Sequence, residues 1–165
     1  MTDRAWVVVT GSRDFSDYRS LATVLNETWH DATQDGYSGL TLLHGAAAGA
    51  DSLAELWGQR HKRHDVQCHR FPAPWSDPCR DECTPGHRRT RRDGSTFCPA
   101  AGNYRNQLLV DCAAPHLPGV LLLACFSRPE SRGTRDCLDR GIAAGMPYRL
   151  LGNPPTLKEP PLCLI

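Results

Sequence analysis

Short apolar runs alternate with segments whose apolar residues have helical spacing along this 165-residue chain. This alternation restricts the fold more than any other feature of the sequence. β-branched and apolar runs predict strands, and apolar residues three or four positions apart predict helices between them. Such alternation indicates a mostly parallel sheet with helices on both faces, a three-layer α/β fold. The strands are predicted at 5–10, 40–44, 66–71, 120–126 and 148–151, and the helices at 17–33, from 51, at 103–113 and at 133–145.

These elements predict one domain over residues 1–151, interrupted by an insertion at 72–101 and followed by a proline-rich tail at 152–165. Lys and Arg number 19 against 18 Asp and Glu, and 40% of residues are hydrophobic, which is typical of a globular domain. No segment approaches the roughly 18 apolar residues that a membrane helix needs, so we expect no membrane partner. The N-terminus lacks the pattern of a signal peptide, and we therefore expect a cytoplasmic protein.

Three strand-to-helix turns are rich in small residues, at 11–14, 45–51 and 127–134. In an open parallel sheet, ligands bind at the carboxyl ends of the strands, where such turns meet. Small residues allow close backbone approach, and a helix N-terminus offers N–H donors and positive potential to an anion. The turns thus predict a phosphate site, although none matches a P-loop or a dinucleotide fingerprint. Alternatively, the glycines only permit tight turns and Asp51 caps its helix.

The insertion gathers Cys79, Cys83, His87 and Cys98, a subset of the chain's eight cysteines. Three thiolates and an imidazole complete the tetrahedral shell of a structural zinc ion and leave no position for a catalytic water. Metal binding would also stabilise a segment with few apolar residues of its own. Two alternatives are free thiols in a loop and a disulfide between Cys79 and Cys83.

A run of arginines follows His87, within residues 88–92. Such a run can contact the phosphates of a nucleic acid, carry an arginine to a ligand phosphate, or form a solvated loop. Aromatic residues are sparse here, with Phe97 and Tyr104 nearby, so the sequence does not predict the stacking surface of a single-strand binder.

Four segments together resemble the YspA-like branch of the SLOG superfamily, in an order that spans residues 6–151. They are Val-Thr-Gly-Ser-Arg-Asp at 9–14, His-Gly-Ala-Ala-Ala-Gly-Ala-Asp at 44–51, Gly-Asn-Tyr-Arg-Asn at 102–106 and Arg-Gly-Thr at 132–134. The resemblance implies a Rossmann-like fold, binding of a nucleotide or nucleotide-derived ligand, and a homo-oligomer. Within this superfamily, the DprA-like branch binds single-stranded DNA and the Lonely Guy phosphoribohydrolases cleave the N-glycosidic bond of nucleoside monophosphates.

The resemblance and the turns together predict a set of ligand-binding residues in a protein that senses or sequesters a nucleotide. Arg105 and Asp136 would be catalytic only if the protein is a hydrolase. The phosphoribohydrolases follow Gly-Thr with paired glutamates, whereas Asp136 and Cys137 stand here, so we expect binding rather than hydrolysis. The predicted ligand-binding residues are Gly11, Ser12, Arg13, Gly45, Gly49, Asp51, Arg105, Asn106, Gly133 and Thr134.

Overall fold

The computed structural model describes residues 3–126 and 131–151, with the backbone alone at 121–126. The predicted tail, the first residues of the turn after the fourth predicted strand, and Cys163 lie outside the described residues. The elements are β1 (Arg4–Gly11), α1 (Tyr18–Gln34), β2 (Gly39–His44), α2 (Ala50–Arg60), β3 (Val66–Arg70), β4 (Arg89–Thr90), β5 (Thr96–Phe97), α3 (Ala101–Ala113), β6 (Val120–Phe126), α4 (Arg132–Ala143) and β7 (Tyr148–Leu151).

The main sheet has five strands in the order β3-β2-β1-β6-β7. Every neighbouring pair in it is parallel, which confirms the predicted α/β, Rossmann-like fold. From β1 the chain moves outward to β2 and β3, then returns to β6 on the other side of β1. The direction of strand order therefore changes between β1 and β6, and the carboxyl ends of these strands open a crevice there.

Two apolar cores cover the two faces of the sheet and make the fold three-layered. One contains Val7 and Val9 of β1 with Leu21 of α1 and Trp57 of α2. The other contains Val8, from the opposite face of β1, with side chains of α3 and α4. Successive strand residues point to opposite faces, so a central strand covered on both sides is apolar throughout, as the sequence run at 5–10 indicates.

The insertion folds into a small module between β3 and α3. Its two short strands, β4 and β5, form an antiparallel hairpin in which Arg89 pairs with Phe97 and Thr90 with Thr96. Each strand has only two residues, too few to give a periodic signal in the sequence. Among the helices of the described residues, none has the length and apolar character required to span a membrane.

Candidate functional site

A cavity of about 630 Å³ lies in the crevice, between the carboxyl end of β1 and the first turns of α3 and α4. Its volume falls within the range of about 300–1,000 Å³ typical of small-molecule sites. Sequence-predicted residues make up much of its lining: Gly11, Arg13, Gly45, Asp51, Arg105, Asn106, Gly133, Thr134 and Asp136.

Ser12 and Gly49, also predicted as ligand-binding residues, are not part of this lining. They join the turn after β1 to the start of α2, where the carbonyl of Ser12 accepts a hydrogen bond from the Ala50 amide at 3.3 Å. Gly49 has a φ of +76°, and a Cβ there would lie against the Ser12 oxygen and 2.5 Å from the carbonyl carbon of Arg13. Only glycine permits this approach, so these two residues position the turn that carries Arg13.

Asp51 is buried at the second position of α2, with 5% of its surface exposed. Its Oδ2 accepts a hydrogen bond from the Ala47 amide at 3.2 Å, while Oδ1 has no hydrogen-bond partner among the described residues. Burial raises the pKa of this carboxyl to about 6. The alternative in which Asp51 caps its helix is wrong, because the N-cap of α2 is Gly49. Asp51 thus lines the pocket and holds a buried carboxylate oxygen without a partner among the described residues.

Arg105 links α3 to the ends of β2 and β3. Its Nη1 donates to the carbonyls of Gly45 and of Phe71, the latter at 3.2 Å, and its Nε donates to Asn106 Oδ1 at 3.0 Å. Burial lowers the pKa of the guanidinium, and the Asp51 charge opposes that shift. A Cβ at Gly45 would lie 2.5 Å from Arg105 Cζ, so the glycine makes room for the arginine.

Asn106 connects α3 to the beginning of α4. Its Nδ2 donates to the Gly133 carbonyl at 3.1 Å and to Asp136 Oδ2 at 2.9 Å. Arg140 Nε donates to the same Asp136 oxygen at 2.9 Å. The first amides of α4 have no partner inside the helix, and no atom of the described residues lies within 4 Å of a Cβ at Gly133. An anion can therefore approach the backbone of this turn closely.

Trp75 is the largest of several pocket residues that the sequence analysis missed. It comes from the insertion and lines the cavity together with Pro99, Gly102 and Asn103. The Arg13 guanidinium lies over its indole ring, 5.8 Å from the ring centroid. A tryptophan shortly after a strand, in a segment otherwise poor in apolar residues, was the available signal. Its position depends on how the module packs against the sheet, which no local pattern reveals.

The four predicted metal ligands form one cluster, with their ligand atoms all within 4.8 Å of one another. The Sγ atoms of Cys83 and Cys98 are 3.8 Å apart, and His87 Nε2 lies 3.5 Å from Cys98 Sγ and 3.1 Å from Cys79 Sγ. Zinc bonds of about 2.3 Å to sulfur and 2.0–2.1 Å to nitrogen give tetrahedral edges of roughly 3.8 and 3.5 Å. Two measured edges match these lengths, so the cluster could hold a metal ion.

Tyr104 favours the thiolate form of one cysteine of the cluster, Cys83, whereas burial raises the pKa of Cys98. The Tyr104 hydroxyl lies 3.1 Å from Cys83 Sγ, and this hydrogen bond lowers the pKa of Cys83. Arg88 Nη1 lies 3.8 Å from Cys79 Sγ. Cys79 and Cys83 are both free thiols, so the alternative of a disulfide between them is wrong.

Fold and pocket together define a Rossmann-like α/β protein with a ligand crevice at its switch point. Residues 5–77 match the model of the YspA, cpYpsA-related SLOG family. The resemblance seen in the sequence is thereby confirmed over these residues, which make up less than half of the chain.

Similar proteins extend the match beyond residue 77. The gene 61 protein of Mycobacterium phage D29 is 28% identical over 155 residues, which cover 90% of this chain and 98% of the phage protein. The X-ray structure of DNA processing protein A (DprA) from Streptococcus pneumoniae superposes with a TM-score of 0.56 at 14% identity, over 88% of this chain and 50% of DprA. The X-ray structure of TM1055 gives a TM-score of 0.47 at 15% identity, over 87% of this chain and 72% of that one. The DprA likeness shows the fold, and this chain spans half of DprA.

Proposed function

We propose that this protein binds a nucleotide or nucleotide-derived ligand in the switch-point crevice and acts as a sensor or sequestering protein. The observation that carries the proposal is the open first turn of α4 at Gly133, which shares one cavity with the side chains of Arg13, Arg105 and Arg132. Backbone amides at a helix start and arginine side chains are the groups that recognise phosphate.

The buried carboxylate in the same cavity suits the sugar of a nucleotide. Asp51 Oδ1 has no hydrogen-bond partner, and a buried acceptor without a donor is unfavourable. A ribose hydroxyl would supply the missing donor. A ligand that carries both groups can therefore place its phosphate at the arginine side chains and the first turn of α4, and its ribose at Asp51.

Isothermal titration calorimetry with AMP, GMP, CMP and UMP tests this function. Arg13→Ala is expected to weaken binding of the preferred nucleotide about tenfold or more, because a charge-assisted hydrogen bond to phosphate is lost. Arg19→Ala removes an exposed arginine of α1 outside the pocket and is expected to bind like the wild type. Absence of binding at millimolar concentrations, across the four nucleotides, would refute the proposal.

We propose zinc as the ion of the Cys/His cluster, in a structural role. Purified protein is expected to contain one zinc per chain by elemental analysis. Cys79→Ser and Cys98→Ser should lose the metal and lower the melting temperature, whereas Cys112→Ser, outside the cluster, should keep the metal. Zinc content well below one per chain would contradict the proposal. Native mass spectrometry of the same sample also tests the homo-oligomer that the family resemblance implies.

Two carboxylates in one cavity support hydrolysis of a nucleoside monophosphate as a second candidate function. Asp136 and Asp51 both line the cavity, and an N-glycosidic hydrolase needs a carboxylate that activates water or stabilises positive charge on the sugar. Incubation with AMP, followed by chromatography, distinguishes the two functions. Free adenine that Asp136→Asn abolishes would favour hydrolysis, and intact AMP at stoichiometric binding would favour sensing.

The module's basic hairpin supports nucleic-acid binding as a third candidate, in line with the DNA processing for which the structural neighbour DprA is named. Arg89, Arg91 and Arg92 are exposed, and the guanidinium of Arg91 lies 4.6 Å from the centroid of the Phe97 ring. If the hairpin binds phosphates, affinity for an oligonucleotide should fall steeply with salt. Affinity that is absent or insensitive to salt would exclude this candidate.

A further inference from the structure

The indole of Trp75 is half-buried and lines the cavity beside the charged side chains of Arg13 and Arg105. Two neighbours contact the edge of the indole ring. Phe97 packs at 6.2 Å between ring centroids and 78° between ring planes, and a Cβ at Gly102 would lie 3.1 Å from the indole Cη2. The ring is therefore fixed in orientation, and a face is directed to the turn after β1, where Arg13 lies over it.

We infer that Trp75 is the platform for the base of the ligand: a planar nucleobase stacks on its face while the phosphate binds at the first turn of α4. This inference rests on the proposed function and deepens it. Aromatic faces stack on any nucleobase, so the platform selects nucleotides over phosphosugars without choosing one base. A base on this face takes the place of the Arg13 guanidinium, which then becomes available to the phosphate.

Asn103 gives the platform a polar edge. This residue lines the same cavity, beside Gly102 in the first turn of α3. Its carboxamide is both a donor and an acceptor, the combination that the edge of a nucleobase requires. Stacking on Trp75 and an amide at the rim together describe a subsite for the base, separate from the phosphate turns.

The platform is built by the metal module rather than by the sheet. The Trp75 carbonyl accepts a hydrogen bond from the Cys98 amide at 2.9 Å, and the Cys98 carbonyl accepts one from the Ala101 amide at 3.1 Å. The backbone of one metal ligand thus holds both Trp75 and the first residue of α3. The module supplies the base subsite, whereas the sheet and its turns supply the phosphate and sugar subsites.

Calorimetry with AMP and with ribose 5-phosphate separates these subsites. Wild-type protein is expected to bind AMP more tightly than ribose 5-phosphate. Trp75→Ala should weaken AMP binding about ten- to hundredfold and leave ribose 5-phosphate binding unchanged. Trp75→Phe, which keeps an aromatic face, should restore most of the loss. Tyr148→Ala removes an exposed aromatic ring remote from the cavity and should bind both compounds like the wild type.

The outcomes separate this inference from the function beneath it. If Trp75→Ala binds AMP as tightly as the wild type, or loses affinity for both compounds equally, the base platform is refuted while nucleotide binding stands. If the wild-type protein binds neither compound, the proposed function is refuted and the platform with it. Selective loss of AMP affinity that phenylalanine restores supports the platform.

Discussion

Two buried residues near the pocket, His44 and Asp51, have pKa values that burial shifts in opposite directions. The pKa of His44 is lowered to about 4 and that of Asp51 is raised to about 6. His44 is therefore neutral at neutral pH, and its contact of 4.0 Å with Glu55 is not an ion pair there. Asp51 is ionised at pH 7 although it is buried, which costs stability. A charge maintained at such a cost points to a role in the pocket.

Asp51→Asn is expected to stabilise the protein at neutral pH. The folded pKa of Asp51 is about 6 against an ordinary value of 3.8, so its contribution to stability is complete below about pH 4 and is lost as pH rises through 6. The isosteric amide does not titrate and should gain up to about 3 kcal/mol over the wild type above pH 6. Urea unfolding at pH 4, 5, 6 and 7.5 measures the difference.

Asp51→Asn also changes how stability depends on pH, because Asp51 and His44 act in opposite directions. The stability due to neutral His44 is present above about pH 6.5 and is lost as pH falls through about 4. In the wild type, the two residues change the free energy of unfolding with pH in opposite directions, so their effects partly cancel. Without Asp51, the free energy of unfolding of Asp51→Asn should therefore rise more steeply with pH than that of the wild type. Asp31→Asn, at an exposed position of α1, controls for a simple loss of charge. A difference between Asp51→Asn and the wild type that is independent of pH would contradict the assignment.

Gly45 and Gly133 offer a matched pair of alanine substitutions in one pocket. A Cβ at Gly45 would meet the guanidinium of Arg105 and lie 2.9 Å from Asp51 Oδ2, whereas in the described part of the chain nothing lies within 4 Å of a Cβ at Gly133. Gly45→Ala is expected to cost about 1–3 kcal/mol by forcing a buried side chain to move. Gly133→Ala, in a helix, should be neutral or stabilising by a few tenths of a kcal/mol to about 1 kcal/mol. Equal unfolding free energies of the two variants would refute this explanation.

At the scale of elements, the sequence predicted the helices and the long strands. Helices that pack on a sheet repeat apolar residues on one face, and strands covered on both faces are apolar throughout. It could not predict β4 and β5, which are held by long-range contacts. Arg88 shows why: it donates to the carbonyls of Ser76, Asp77 and Thr96 and to the hydroxyl of Thr96. The arginine run therefore contains one structural residue among exposed ones, a distinction that sequence alone does not make.

Arg88→Ala is expected to lower the affinity of the module for zinc about 10- to 100-fold. The side chain ties Thr96 of β5 to the segment before Cys79 and contacts Cys79 Sγ, and outer-shell partners of metal ligands have effects of this size. Competition with a chromogenic chelator measures the affinity. Arg89→Ala changes the adjacent exposed arginine and should retain wild-type affinity. If both variants bind zinc equally well, Arg88 does not support the metal site.

At the scale of the whole molecule, the sequence located the ligand crevice because the carboxyl ends of parallel strands must meet at one edge. Most predicted site residues line the cavity for that reason. Gly49 does not line the cavity, because it allows the turn after β1 to pack against the start of α2. A glycine-rich turn that binds a ligand and one that only packs tightly have the same sequence pattern. Trp75 was missed because its place depends on the module and the sheet together, through the backbone of Cys98.

If the cluster holds zinc and the crevice holds a nucleotide, as proposed, this shared backbone predicts that the two bind cooperatively. Removal of zinc should free Cys98, disorder the Trp75 platform and weaken AMP binding, so AMP must tighten zinc binding by the same factor. Chelator competition with and without saturating AMP measures the effect of AMP on zinc affinity. Calorimetry of zinc-free and zinc-loaded protein measures the effect of zinc on AMP affinity. Trp75→Ala keeps the metal ligands but lacks the platform, so the coupling should fall toward zero in this variant. Equal AMP affinity with and without zinc would mean that the module and the pocket act independently, because a contact that transmits no free energy cannot couple two sites.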